Sequence, residues 1–376
     1  ACLALDLNNN LNWPIRTMAV WYGILGLGAT FAFVGGFLGD RTLKRKNWIW
    51  IGLLVEGFGI LLLTTHSTPA IKTGIALFSL GALLFHGNIL VVVAEYAVAA
   101  RIRLETAFLV VFFTASVGGI LAPTLSVFLL DKALLYPVFT LVTITCGLLL
   151  LLATRYSPVS SYPDYALKHS SGWRRRIVLI VAFLATRGLS YSGLYAFSWP
   201  EGSRNTSEGI AAMFDQRGNI PLIVSIVALL VVPVIVLLIT RRLRRRSTNT
   251  AGVRLISLGL AAAGIALLVV GLGAGDLMPK HHYLLALAII LGFMSTAFIF
   301  VAMATLACTL VTNRWRGTVT ALIAGIPPNI DITLLSWESW PLAAPLFITG
   351  AGILIAVLLW HLLVVRRLVT APVTPE

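Results

Sequence analysis

The stretch GGFLGDRTLKRK, residues 35–46, lies between two long apolar runs and sets one acid, Asp40, beside four bases, Arg41, Lys44, Arg45 and Lys46. Charges gathered this tightly matter because the chain of 376 residues is 58% hydrophobic and only 11% charged, with a mean hydropathy of +0.93. Too little polar surface is left to cover a water-soluble globule, so the predicted surroundings are lipid. Crossing ~30 Å of hydrocarbon takes about 20 apolar helical residues. Cutting the chain at charges and prolines on either side of residues 35–46 gives eleven such runs: 17–38, 48–65, 73–94, 106–130, 134–153, 177–197, 220–240, 255–274, 283–311, 318–335 and 342–365.

Short cytoplasmic loops carry the excess of Lys and Arg. With residues 39–47 inside, alternate loops and the C-terminus hold 21 bases and the opposite loops six, while Arg187 lies within a run. The net charge of +14 is therefore a topology signal with affinity for anionic headgroups, and no nucleic-acid partner follows from it. The expected location is the plasma membrane, the inner one in a bacterium, with the C-terminus cytoplasmic. The opening ACLALDL reads like the last turns of a helix emerging on the outer face. The expectation is a chain truncated within its first helix, with twelve spans in the full form.

The polar segment from Arg155 to Arg176 then divides the chain six and six. The predicted parts are an N-terminal bundle over 1–154, a cytoplasmic linker over 155–176 and a C-terminal bundle over 177–376. A weak internal echo agrees, because FLGDRTLKRKNWIWIGLL and LITRRLRRRSTNTAGVRLISLGL hold the same place in each half, as do AARIRLETA and TNRWRGTVTA. Repeats of this sort suit a transporter whose substrate lies between halves at the midplane.

The spacing Gly36-x-x-x-Asp40-Arg41-x-x-Lys44-Arg45 resembles the G-x-x-x-D-R-x-G-R-R motif between the second and third helices of the major facilitator superfamily, with Leu43 where glycine is usual. In that light Gly36 permits close helix approach. Asp40 can meet the positive N-terminus of a helix from the other half and a base such as Arg101 or Arg103, a contact made in one conformation and lost in the other. The alternative is an ordinary positive-inside loop. Within the superfamily the chain is most similar to the proton-coupled oligopeptide transporters, through WYG (Trp21–Gly23), LFHGNI (Leu84–Ile89), FFTASVGGILAP (Phe112–Pro123) and TNRWRGTVTAL. The resemblance implies an all-α, two-bundle membrane fold, proton-coupled uptake of small peptides and substrate contacts from Tyr22, His86 and Asn88. It puts His86 where the family has lysine and Ser116 where it has asparagine.

Ionisable groups at membrane depth need a reason, since insertion costs at least ~2.5–3.5 kcal/mol for Asp, Lys or Arg. His86 shares a helical stripe with Ser79 and Ala82; an entering carboxylate would favour its imidazolium, which links anion binding to proton uptake. Asn88 is rotated about 200° from His86 on a helix, so a structural hydrogen bond competes with a substrate role. Glu56 lies on the stripe of Gly52 and Gly59, a close helix contact, either as a proton carrier or as a hydrogen-bonded interface residue. Arg187, with Ser190, Tyr191 and Ser198 on its side, suits a watery cavity and a substrate carboxylate, or else an interhelical ion pair. In GIPPNID (Gly325–Asp331) two prolines break a helix, so Asn329 joins the substrate candidates and Asp331 the proton-coupling ones, against a plain helix-end role.

Cys2, Cys146 and Cys308 are too widely spaced for a disulfide framework or metal site. No nucleophile triad, phosphate loop or paired catalytic carboxylates are found. The expectation is a non-enzymatic, monomeric secondary transporter that needs no cofactor beyond a proton gradient and takes a peptide or other small solute. An exporter or symporter of another solute, or a transport-inactive member, is the alternative.

Overall fold

The computed structural model describes residues 17, 20–21, 24–25, 27–28, 31–42, 44–65, 67–130, 135–156, 220–246, 251–273, 282–311, 313–324, 351–357 and 359. Among these the regular elements are helices: α1 (Ala32–Arg41), α2 (Arg45–Leu63), α3 (Thr68–Ala99), α4 (Leu104–Leu130), α5 (Leu135–Tyr156), α6 (Ile220–Arg246), α7 (Ala251–Gly273), α8 (His282–Leu310) and α9 (Arg316–Ala324), the last entered through a 3-10 turn, Asn313–Trp315. Hydrocarbon offers an unpaired N–H or C=O no partner, so a chain this apolar satisfies its backbone within helices. Four stretches among the described residues are long and apolar enough to cross a membrane: α2, α3, Gly252–Val269 within α7 and Ile290–Thr309 within α8. Shorter apolar stretches, Leu104–Gly118 and Tyr136–Leu152, lie in α4 and α5. Of the eleven expected runs, 177–197, the end of 318–335 and most of 342–365 fall outside the described residues.

Helix ends follow local chemistry. Pro69 stands in the first turn of α3, where its missing N–H would have been unpaired anyway. The 32 residues of α3 measure ~48 Å at 1.5 Å each, longer than the hydrocarbon is thick, so the helix reaches past it and carries Glu95 and Tyr96 near its end. Buried hydroxyls turn back on their own helices: Thr240 Oγ1 donates to the Val236 carbonyl at 2.6 Å and Ser257 Oγ to that of Val253 at 3.1 Å. Outward faces are apolar; Leu141 and Leu230 are 67% and 61% exposed, a surface that water penalises and lipid does not.

The chain divides into two compact units: Ala1–Phe108, Thr114–Gly172 and Leu306–Leu335 form one, and Leu109–Phe113, Trp173–Thr305 and Ser336–Glu376 the other. In the first, α2 and α3 run antiparallel in close contact. A Cβ added at Gly81 of α3 would stand 2.5 Å from the Glu56 amide nitrogen and 2.7 Å from Glu56 Cβ. Ile60 and Leu63 of α2 meet Ile71 and Ile75 of α3 and Tyr136 of α5, with Trp21, Phe78 and Phe139 packed around them. Lower on the same helices Ile49, Leu53 and Val92 form a second cluster.

The second unit packs α7 on α8, where Gly259 lies beside Ile299 and the Ser295 carbonyl, 3.1 Å from an added Cβ. Val232 and Val236, either side of Pro233 in α6, are buried, as are Leu255, Ile256 and Leu267 of α7 and Phe298 and Val301 of α8. Phe112 of α4 meets Phe300 of α8 with ring centroids 5.9 Å apart.

Candidate functional site

The GGFLGDR segment folds as the last two turns of α1, and α2 begins four residues after Arg41, at Arg45. Thr42 ends α1 by donating its hydroxyl to the Leu38 carbonyl at 2.8 Å, and accepts from Trp48 Nε1 at 3.2 Å. This short connection brings Arg45 back over Asp40. Arg45 Nη2 donates to Asp40 Oδ1 at 2.6 Å and Nη1 to Glu95 Oε1, near the end of α3, at 2.7 Å.

Three more donors reach Asp40, all from the start of α9. The Gly317 amide donates to Oδ1 at 3.0 Å; the Thr318 amide and hydroxyl donate to Oδ2 at 2.9 and 2.8 Å. The first N–H groups of a helix have no partner within it and carry its positive partial charge, roughly +0.5. Asp40, with a fully buried side chain, thus caps a helix 277 residues further along the chain. Two glycines make the approach possible. A Cβ at Gly36 would collide with the Gly317 backbone, and one at Gly317 would stand 2.8 Å from Asp40 Oδ1. Arg316, the first residue of α9, is 1% exposed and donates from Nη2 to the Val311 carbonyl at 3.3 Å; its charge also acts on Glu95. The cluster is therefore a carboxylate pair bridged by one guanidinium, with a second guanidinium and a helix N-terminus beside it.

The base that meets Asp40 is Arg45, which corrects the expectation of Arg101 or Arg103. Those two are exposed in the turn between α3 and α4, where Arg101 has φ 55°, because α3 continues to Ala99 and delivers them beyond the cluster. Lys44 is exposed at the N-cap of α2. Arg41 turns outward, with its guanidinium carbon 5.2 Å from the Phe37 ring centre and 4.7 Å from that of Trp315. Glu95 was not anticipated. The signal for it was an acid just past the end of an apolar run, shortly before the bases Arg101 and Arg103.

Elsewhere the candidates separate. His86 is exposed, its ring edge-on to that of Phe85, while Ser79 and Ala82 on the same stripe are buried and Ser79 donates to the Ile24 carbonyl at 2.7 Å. Asn88 points toward α1 and not with His86. It is 0% exposed, and Nδ2 donates to the Gly35 and Leu84 carbonyls at 2.9 and 3.0 Å, so its amide ties α3 to α1 in helix packing. Glu56 is half-buried where α2 meets Gly81. Tyr22, Arg187, Tyr191, Asn329 and Asp331 lie outside the described residues. No group of three or more metal-ligating side chains occurs among the described residues.

A sequence-family model described as Major Facilitator Superfamily matches residues 2–326. No curated protein matches the chain. Among solved structures, the proton:xylose symporter XylE bound to 6-bromo-6-deoxy-D-glucose is similar at a TM-score of 0.63 and 13% identity, over 96% of this chain and 91% of that one. A POT family transporter in complex with a thioalcohol-conjugated peptide gives 0.55 and 13%, over 94% and 88%. The nucleoside transporter NupG gives 0.55 and 15%, over 95% and 94%. At these identities the likeness is one of fold.

Proposed function

We propose, from the premise that this chain belongs to the major facilitator superfamily, that it is a secondary transporter which carries a small solute across the membrane by alternating access and uses the Asp40 cluster to hold one of its conformations. The observation that carries this reading is the set of bonds from Gly317 and Thr318 to Asp40. They join segments far apart in sequence, from the two halves expected on either side of residues 155–176, and donors of this kind can be released without unfolding either helix. Neither a cofactor nor an enzymatic step is part of this reading; the energy source is a proton gradient.

The finer reading is proton-coupled uptake of small peptides or peptide-like solutes. Its support is the resemblance of the N-terminal half to oligopeptide transporters, together with POT family structures among the similar folds. On this reading His86 and Arg187 receive an anionic group of the substrate, with Tyr22, Tyr191 and Asn329 near it. Glu56 and Asp331 then carry protons. Transport of a different solute is the second reading, favoured by the sugar symporter and nucleoside transporter among the same folds.

The test is uptake into proteoliposomes under an imposed pH gradient, with dipeptides, pentoses and nucleosides compared. Asp40→Asn should leave folded yield near that of the parent. It replaces charge-assisted bonds with an amide that presents donors to donors, and bonds to charged groups contribute about 1.5–3 kcal/mol each. The clasp should therefore weaken at least tenfold and the transport rate fall accordingly. Unchanged uptake in well-expressed Asp40→Asn would sink the conformational role, and pentose uptake without dipeptide uptake would replace the peptide reading by the second.

A further inference from the structure

Beside the buried cluster lies an exposed contact that the Asp40 chemistry does not use. Arg41 occupies the last turn of α1, and Phe37 precedes it by one turn on the same face. Trp315 closes the 3-10 turn immediately before α9. The guanidinium of Arg41 lies over both rings, 4.7 Å from the Trp315 centroid and 5.2 Å from the Phe37 centroid; the two rings are themselves 6.2 Å apart and inclined at 42°. Phe37 and Trp315 are 40% and 42% exposed, so the stack sits at the rim of the α1–α9 contact and outside the core.

We infer that this aromatic–guanidinium–aromatic stack is a second latch on α9, separate from the Asp40 cluster and independent of the charge on Asp40. A flat, weakly hydrated guanidinium is attracted to ring faces within about 6 Å, Trp most strongly, and such contacts form without a carboxylate. The stack joins the same two segments as the Asp40 bonds, yet shares none of their atoms. It therefore grips the entry to α9 when Asp40 is neutralised, and α9 leaves α1 only when both contacts are broken. The two contacts bias one equilibrium, so their effects multiply. The inference rests on reading the α1–α9 contact as one that opens during transport.

Cys308 supplies the readout. It is wholly buried, with its sulfur 3.9 Å from Thr320 Oγ1 of α9, so its thiol becomes reachable when α9 moves away. In the full chain reconstituted in nanodiscs, with Cys2→Ser and Cys146→Ser to silence the other thiols, the rate of Cys308 alkylation by N-ethylmaleimide reports that motion. Trp315→Leu and Arg41→Gln should each raise the rate about two- to fivefold, the effect of losing an exposed cation–π contact. The double variant should raise it no further than the larger single effect, since both remove one shared contact. In an Asp40→Asn background Arg41→Gln should multiply the rate by the same factor as in the parent. Trp315→Phe, which keeps a ring face, should fall between parent and Trp315→Leu, and this separates the stack from any general disturbance of the turn. A parental rate in Trp315→Leu and Arg41→Gln, with a raised rate in Asp40→Asn, overturns the latch alone. Parental rates in all three overturn the latch and the opening of the contact together.

Discussion

At the scale of single residues, Asp40 and His86 show two opposite ways of placing an ionisable group in a membrane protein. Asp40 has a fully buried side chain and four hydrogen bonds, three of them from one helix start, so its charge is matched where it stands. His86 is exposed on α3, with its ring edge-on to that of Phe85. If His86 and Arg187 share the substrate's anionic group, their variants should differ in pH dependence and not merely in size. An arginine stays charged throughout the accessible range, so Arg187→Ala should weaken binding by a similar factor at every pH. An imidazole that gains a proton as external pH falls would let the parent bind and transport better at lower pH. His86→Ala should abolish that rise, and His86→Lys should restore binding with a flat profile. Uptake at a series of external pH values checks this; a parental pH profile in His86→Ala removes the coupling role. Residue types alone did not reveal which base serves Asp40. Arg45, Arg101 and Arg103 are equivalent as charges, and only the short return from α1 to α2 and the length of α3 select Arg45.

Elements were the most legible level, because hydropathy reports directly which residues lipid accepts. The run 48–65 corresponds to α2, Arg45–Leu63, within a few residues. The run 73–94 corresponds to α3, Thr68–Ala99, and stops short at both ends for a physical reason: the helix continues past Lys72 at one end and into Glu95, paired with Arg45, at the other, where apolar content no longer marks it. Pairing between elements is harder to read. The stripe of Gly52, Glu56 and Gly59 indicated a close contact, but not that Gly81 of α3 would lie against it. The seam makes a clear forecast. Gly81→Ala sets a Cβ 2.5 Å from the Glu56 backbone, which cannot swing aside as a side chain would, and should cost about 1–3 kcal/mol as overpacking does. Gly118→Ala in α4 meets nothing within 4 Å and should be neutral or stabilising by up to about 1 kcal/mol from helix propensity. Thermal unfolding in detergent should therefore give a lowered midpoint for the first and an unchanged or raised one for the second. Equal midpoints would mean that α2 and α3 do not touch there.

For the whole molecule, the expected orientation rests on 21 bases against six and on no particular contact. Cysteines placed at Lys46 and Arg245 in inside-out vesicles should accordingly both react with a membrane-impermeant maleimide, and both be protected in right-side-out vesicles; opposite behaviour of the two sites would contradict the expected topology. The motif suggested that Asp40 meets a helix N-terminus from the other half, but no window of sequence says which one, since the partners of Asp40 are 277 and 278 residues away and two of the three donors are main-chain amides. That last feature governs how the protein can vary over generations. An ion pair between two side chains can be inverted by exchanging both charges, so a damaging change on one side has an inexpensive remedy on the other. Here the amides of Gly317 and Thr318 are written into every sequence that keeps a helix at that point, and no codon change reverses their polarity. A screen for second-site revertants of an Asp40→Lys allele should therefore recover no compensating change at Gly317 or Thr318. Its survivors should map to Arg45, Glu95 and Arg316, the side-chain charges of the cluster that selection is able to rewrite.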